Sequence, residues 1–93
     1  MSLFSKEIFI QKLKLARKYK KLSQKDVAGY LGLKREAYAK YEGGVSEPSL
    51  TNLYNLSIIY NVSLDAFLNP NIPIEEIFKY PKKNTWVSGV FLF

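Results

Sequence analysis

The chain contains no cysteine and no histidine. Without cysteine, neither a disulfide nor a thiolate metal site can form. Without histidine, the commonest general base and the commonest metal ligand are both missing. Carboxylates, lysines and tyrosines remain, but no pair of them has a spacing that suggests a reacting centre. The expectation is a protein that is not an enzyme and carries no metal or cofactor. Long apolar runs are missing too, and no stretch approaches the roughly 20 residues that cross a membrane as a helix. The opening segment, MSLFSKEIFI, lacks the basic-then-apolar pattern and small-residue cleavage site of a secretory signal. A soluble, cytoplasmic protein with no membrane partner is therefore expected. Its 93 residues make one domain, near the size at which a single core holds without staples.

Acidic residues are scarce, 8 against 14 basic, for a net charge of +6. The imbalance is concentrated. Residues 1–40 hold eleven basic side chains (Lys6, Lys12, Lys14, Arg17, Lys18, Lys20, Lys21, Lys25, Lys34, Arg35, Lys40) against three acidic (Glu7, Asp26, Glu36), a net +8. Residues 41–93 hold three basic and five acidic, a net −2. Such a field draws a polyanion to one end of the molecule. A solvated lysine-rich helix accounts for the charge alone equally well.

What is present reads as a succession of helices. Ser5 caps a first helix in which Phe9, Leu13 and Ala16 form the apolar stripe. Ser23 caps a second, QKDVAGYL, with Val27, Ala28 and Leu31 facing inward, and Gly32 ends it in the left-handed conformation that glycine adopts cheaply. A third helix runs from about 34 to 42 and is stopped by Gly43 and Gly44. After VSEP, a fourth places Leu50, Leu53 and Leu56, with Ile59 or Tyr60, at helical spacing. Asn61 is its left-handed stop, and Ser63 caps a short fifth helix, LDAFL.

The third helix separates its chemistry by face. At about 100° per residue, Arg35, Glu36 and Lys40 fall on one side around the small Ala39, while Ala37, Tyr38 and Tyr41 fall on the other. A helix with long hydrogen-bonding side chains around a small residue can approach another surface closely, and a DNA major groove is wide enough to admit it. Ala28, Gly32 and Tyr38 sit where two helices joined by a tight turn need a small residue, a positive φ and an apolar anchor.

The segment from Leu13 to Leu68 resembles the helix-turn-helix domains of the Cro and phage-repressor type, the Xre family. The residues that carry the resemblance are Arg17, Leu22-Ser23-Gln24, Ala28, Leu31-Gly32, Tyr41-Glu42-Gly43, Pro48-Ser49-Leu50 and Val62-Ser63-Leu64-Asp65. It implies an all-α, five-helix repressor-like fold over 1–69, followed by a C-terminal extension over 70–93. It implies base contacts from Arg35, Glu36 and Lys40 at the start of the third helix. Phosphate contacts would come from Ser23, Gln24, Lys25, Lys34 and Gly43. Arg17 would pair with Glu42 as a structural ion pair. For Glu36 two plainer roles stand beside base reading: a carboxylate favoured at a helix N-terminus, or an i,i+4 partner of Lys40.

The sequence departs from the family pattern in places. Gly29 lies inside the second helix, where glycine costs about 1 kcal/mol relative to alanine. Gly43, Gly44, Val45 and Glu47 occupy a loop where relatives often carry a basic or polar phosphate contact. Tyr38 is larger than the usual branched aliphatic and is expected in the core.

Prolines at 70, 73 and 81 flank a short helical segment, IEEIFKY, and the chain closes on TWVSGVFLF. That tail suits a β-strand, and Trp86, Val87, Val90, Phe91 and Phe93 are candidates for a dimer contact. Alternatively it closes the protomer's own core, or begins a second domain. The function implied is sequence-specific double-stranded DNA binding by a homodimeric transcriptional regulator, a repressor, that reads a palindromic operator. The alternative is a protein-interaction module, an antitoxin or adaptor, that uses the apolar tail to hold a protein partner.

Overall fold

Serine hydroxyls start four of the helices. In the computed structural model, which describes residues 3–81, Ser5, Ser23, Ser49 and Ser63 each sit in extended backbone and accept a hydrogen bond from the N–H three residues on. Each thereby satisfies a donor that a helix N-terminus leaves without an internal partner. The helices that follow are α1 (Lys6–Tyr19), α2 (Gln24–Leu31), α3 (Arg35–Glu42), α4 (Leu50–Tyr60) and α5 (Leu64–Leu68), and a 3₁₀ segment follows over Ile74–Lys79. There is no strand among the described residues. The domain is all-α. The tail residues Trp86, Val87, Val90, Phe91 and Phe93 lie outside the described residues.

Left-handed residues end three of the helices. Gly32 (φ 70°) closes α2 and Asn61 (φ 53°) closes α4, at the positions the sequence marks. Lys21 (φ 59°) does the same after α1, with no residue type to announce it.

The core forms where the inward stripes meet. Phe9, Leu13 and Ala16 from α1, Val27 and Ala28 from α2, Tyr38 and Tyr41 from α3, Leu56 and Tyr60 from α4, and Val62, Ala66 and Phe67 are buried together. Leu31, expected inward, is half-buried against this cluster. The 3₁₀ segment packs on α1 and adds Ile77 to the core, while Phe78 stacks on Tyr19 with ring centroids 4.0 Å apart.

Two sequence expectations give way. Leu50 was placed on the stripe of α4 but lies exposed, because the buried stripe runs through Leu53, Leu56, Ser57 and Tyr60 and ends before the first residue of the helix. Lys12, counted with the basic field, is fully buried. Its ammonium donates to the carbonyls of Ala66 (2.7 Å) and Asn69 (2.8 Å) and so satisfies the C-terminal end of α5. Burial lowers the Lys12 pKa, and the charge of Asp65 opposes that shift.

Candidate nucleic-acid interface

Helix α3 is fixed from three sides. From α1, Arg17 grips the Glu42 carboxylate with both arms of its guanidinium, Nε to Oε2 at 2.7 Å and Nη2 to Oε1 at 2.9 Å. Its third donor, Nη1, reaches the Leu22 carbonyl in the turn between α1 and α2 at 3.1 Å. From α2, Gln24 Nε2 donates to Glu42 Oε1 at 3.1 Å. From α4, the Tyr60 and Tyr38 hydroxyls share a hydrogen bond of 2.6 Å, and Asn52 Nδ2 donates to the Tyr41 hydroxyl at 3.0 Å. Burial raises the Tyr38 and Tyr60 pKa values well above the ordinary tyrosine range, so both hydroxyls stay protonated. The rings of Tyr38 and Tyr41 meet edge to face, a favoured aromatic geometry.

Opposing influences act on Glu42. Burial pushes its carboxyl pKa up, but hydrogen bonds from Arg17, Tyr38 and Gln24, with the Arg17 charge, outweigh burial and hold it below the ordinary range. The Glu42 hydrogen bond in turn raises the Arg17 pKa, against burial. The pair stays ionised, as a buried pair must to repay its desolvation.

The opposite face of α3 is open. Arg35, Glu36 and Lys40 are exposed, with the small Ala39 half-buried among them. No ion pair joins Glu36 to Lys40 among the described residues. Glu36 stands in the first turn of α3, where the helix dipole favours a carboxylate. Lys34 is the N-cap and is exposed, with no side-chain cap bond.

Gln24 has a part in this site that its position alone did not disclose. Its amide nitrogen is held by Glu42, and its amide oxygen accepts from Arg35 Nη1 at 3.1 Å. A continuous chain of hydrogen bonds therefore runs from the buried Arg17 to the exposed Arg35. The sequence signal is only the spacing: Gln24 opens α2 and Arg35 opens α3.

The flanks are less uniform. Ser23 and Asp26 form a reciprocal capping box, each side chain bonded to the other's N–H at 2.9 Å. Ser23 and Lys25 are exposed beside it. Gly43 is exposed, but its N–H donates to the Ala39 carbonyl at 2.9 Å. The N–H groups of Gly44, Val45 and Ser46 are likewise engaged by carbonyls at the end of α3. Gly44 (φ 75°) turns the chain away, and its carbonyl accepts from Lys6 Nζ at 3.1 Å. The described residues hold no cluster of carboxylates able to bind a metal ion, and no described helix is long and apolar enough to cross a membrane.

Comparison with known proteins agrees with this architecture. The helix-turn-helix family model matches residues 13–67, more than half of the chain. Among curated proteins of Bacillus subtilis (strain 168), the uncharacterised HTH-type transcriptional regulator YqaE is 48% identical over 61 residues, 66% of this chain and 53% of its own length. YonR, an SPbeta prophage-derived uncharacterised HTH-type transcriptional regulator, is 38% identical over 85 residues, 88% of this chain and 77% of its own. YobD, also an uncharacterised HTH-type transcriptional regulator, is 33% identical over 61 residues, 66% of this chain and 54% of its own. The chain thus spans about half the length of YqaE and YobD. No solved structure matches it. With α2 and α3 joined by the Gly32 turn inside the matched segment, the chain belongs to the helix-turn-helix family of the Cro and Xre type.

Proposed function

We infer that this protein is a DNA-binding transcriptional regulator that reads double-stranded DNA sequence-specifically, with α3 in the major groove. The observation that carries this reading is the division of α3: tyrosines and Glu42 buried behind, Arg35, Glu36 and Lys40 exposed in front. A base-reading helix needs that rigidity, because side chains that move lose discrimination. Arg35 offers a fork suited to guanine O6 and N7, Glu36 an acceptor for cytosine N4, and Lys40 a donor to guanine or phosphate. Phosphate charge is neutralised by Lys25, Lys34 and the first turn of α2 at Ser23. Gln24 serves by holding Arg35 in place, and Gly43 offers no free N–H to a phosphate. The relatives' description as transcriptional regulators supports the same reading.

The protein acts in the cytoplasm as a homodimer on a palindromic operator. Occupying a promoter is enough to repress it, so a small domain suits a repressor.

Selection of bound sequences from a random DNA pool is the test. A pseudo-palindrome with half-sites about one helical turn apart is expected. Arg35→Ala should then lose about 1–3 kcal/mol of preference for the selected base over its competitors. A pool that stays unenriched, or an Arg35→Ala variant that selects the same sequence as strongly, rules the reading out.

A further inference from the structure

We propose that the outer face of α4 is the surface on which two copies of this chain meet. The four exposed positions of this helix are Leu50, Thr51, Tyr54 and Ile58. On a helical wheel they fall within about 100° of one another, a single stripe along the helix. Leu50 is 86% exposed, and Tyr54 and Ile58 are each 48% exposed. A solvated helix face ordinarily carries charge. The outer faces of α1, α2 and α3 do so, through Lys6, Glu7, Lys14 and Lys18, through Lys25 and Asp26, and through Arg35, Glu36 and Lys40. In contrast, the eleven residues of α4 include no charged side chain at all.

That absence selects the occupant. Two copies of a chain with net charge +6 repel one another, so they meet most cheaply on a face that brings no charge to the contact. An anionic membrane surface is a poor fit, because a helix lying on one carries lysine or arginine beside its apolar stripe. A charged protein partner finds nothing on α4 to complement. The stripe is also self-complementary. With a two-fold axis passing near Tyr54, Leu50 of one copy faces Ile58 of the other, and the same contact repeats on the far side of the axis. Residues four apart form one ridge of a helix, so the stripe can seat in the groove of its twin. Three large side chains from each copy cover less than the roughly 800 Å² per partner of a standard stable interface. The pair is therefore weak in free solution and strengthened when both copies occupy one duplex.

The inference extends the dimer of the proposed function, and its test uses no DNA, so each can fail alone. Sedimentation equilibrium of the full chain should show concentration-dependent dimerisation. Leu50→Lys and Ile58→Glu, both at exposed positions, should each weaken it by at least about tenfold, a change of about 1.4 kcal/mol. The double variant, L50K with I58E, places opposite charges at both contacts and should recover most of the loss. Circular dichroism melts would confirm that all three remain folded, and should one single variant not fold, the remaining single and the double variant still decide. A chain that stays monomeric at every concentration overturns the proposal. So do single variants that dimerise as tightly as the parent, or a double variant no tighter than the singles.

Discussion

At Glu42, two carboxylate oxygens take hydrogen bonds from Arg17 and Gln24 in a site almost closed to water. Glu42→Gln keeps the shape but removes the charge, leaving the Arg17 guanidinium without its counterion. A loss of about 3–5 kcal/mol in unfolding free energy is expected, read as a lower urea midpoint with an unchanged slope. The same residue sets the response to acid. Its folded pKa lies below the ordinary 4.5, so its contribution is complete above that value and is lost as pH falls through the lower, folded one. Urea midpoints measured from neutral pH down to about 3 should fall for the parent and fall less steeply for Glu42→Gln. An equal slope in both proteins would show that other carboxylates govern acid unfolding. Gln24→Ala probes the other end of the network: it should cost less stability than Glu42→Gln, because the bidentate ion pair survives, yet weaken the preference that Arg35 provides.

At the scale of elements, glycines with similar local composition predict opposite outcomes. Gly29 lies within α2, exposed, and a Cβ built there meets nothing within 4 Å. Gly29→Ala should therefore stabilise the domain by about 1 kcal/mol. Gly44 has a φ of 75°, and a Cβ there would stand 2.8 Å from Ile10 Cδ1. The Ile10 methyl group can shift, but the backbone strain remains, so Gly44→Ala should destabilise by about 1–2 kcal/mol. Thermal melts of the two variants should move in opposite directions, and two shifts of the same sign would contradict the assignment of strain. Much of this element structure was legible in the residues. QKDVAGYL and LDAFL form helices at the limits their serine caps and stop residues mark, because caps and left-handed stops act locally. The inward turn of Tyr38 and Tyr41 followed from helical period alone. What stayed hidden depends on partners distant in sequence. Lys12 reads as one more surface lysine until α5 arrives 54 residues later with unsatisfied carbonyls. Gln24 reads as a phosphate ligand until α3 brings Glu42 and Arg35 to its two ends. Leu50 fits the apolar spacing of α4, but periodicity cannot tell where a neighbouring helix stops covering it.

For the molecule as a whole, the relevant electrostatic quantity is the number of cations that reach phosphates, and net charge is a poor proxy for it. Lys12 counts toward the net charge of +6 but is buried against carbonyls, and Arg17 is matched by Glu42. Lys79 on the 3₁₀ segment lies 3.8 Å from Glu76, on an element that packs on α1 rather than beside α3. Lys25, Lys34 and Lys40, by contrast, are exposed on or beside the two helices of the motif. Each phosphate neutralised releases counterions, so the logarithm of the DNA association constant falls against log salt with a slope of about −0.9 per contact. Lys34→Ala should reduce the magnitude of that slope by about 0.9 for each protomer bound. It should weaken selected and unrelated duplexes alike, because a phosphate contact carries no sequence information. Lys79→Ala removes the same formal charge and should leave the slope unchanged within error. Fluorescence anisotropy titrations across a salt series separate the outcomes. If the two variants lower the slope equally, the protein binds DNA through its overall charge, and the interface built on α2 and α3 is the wrong one.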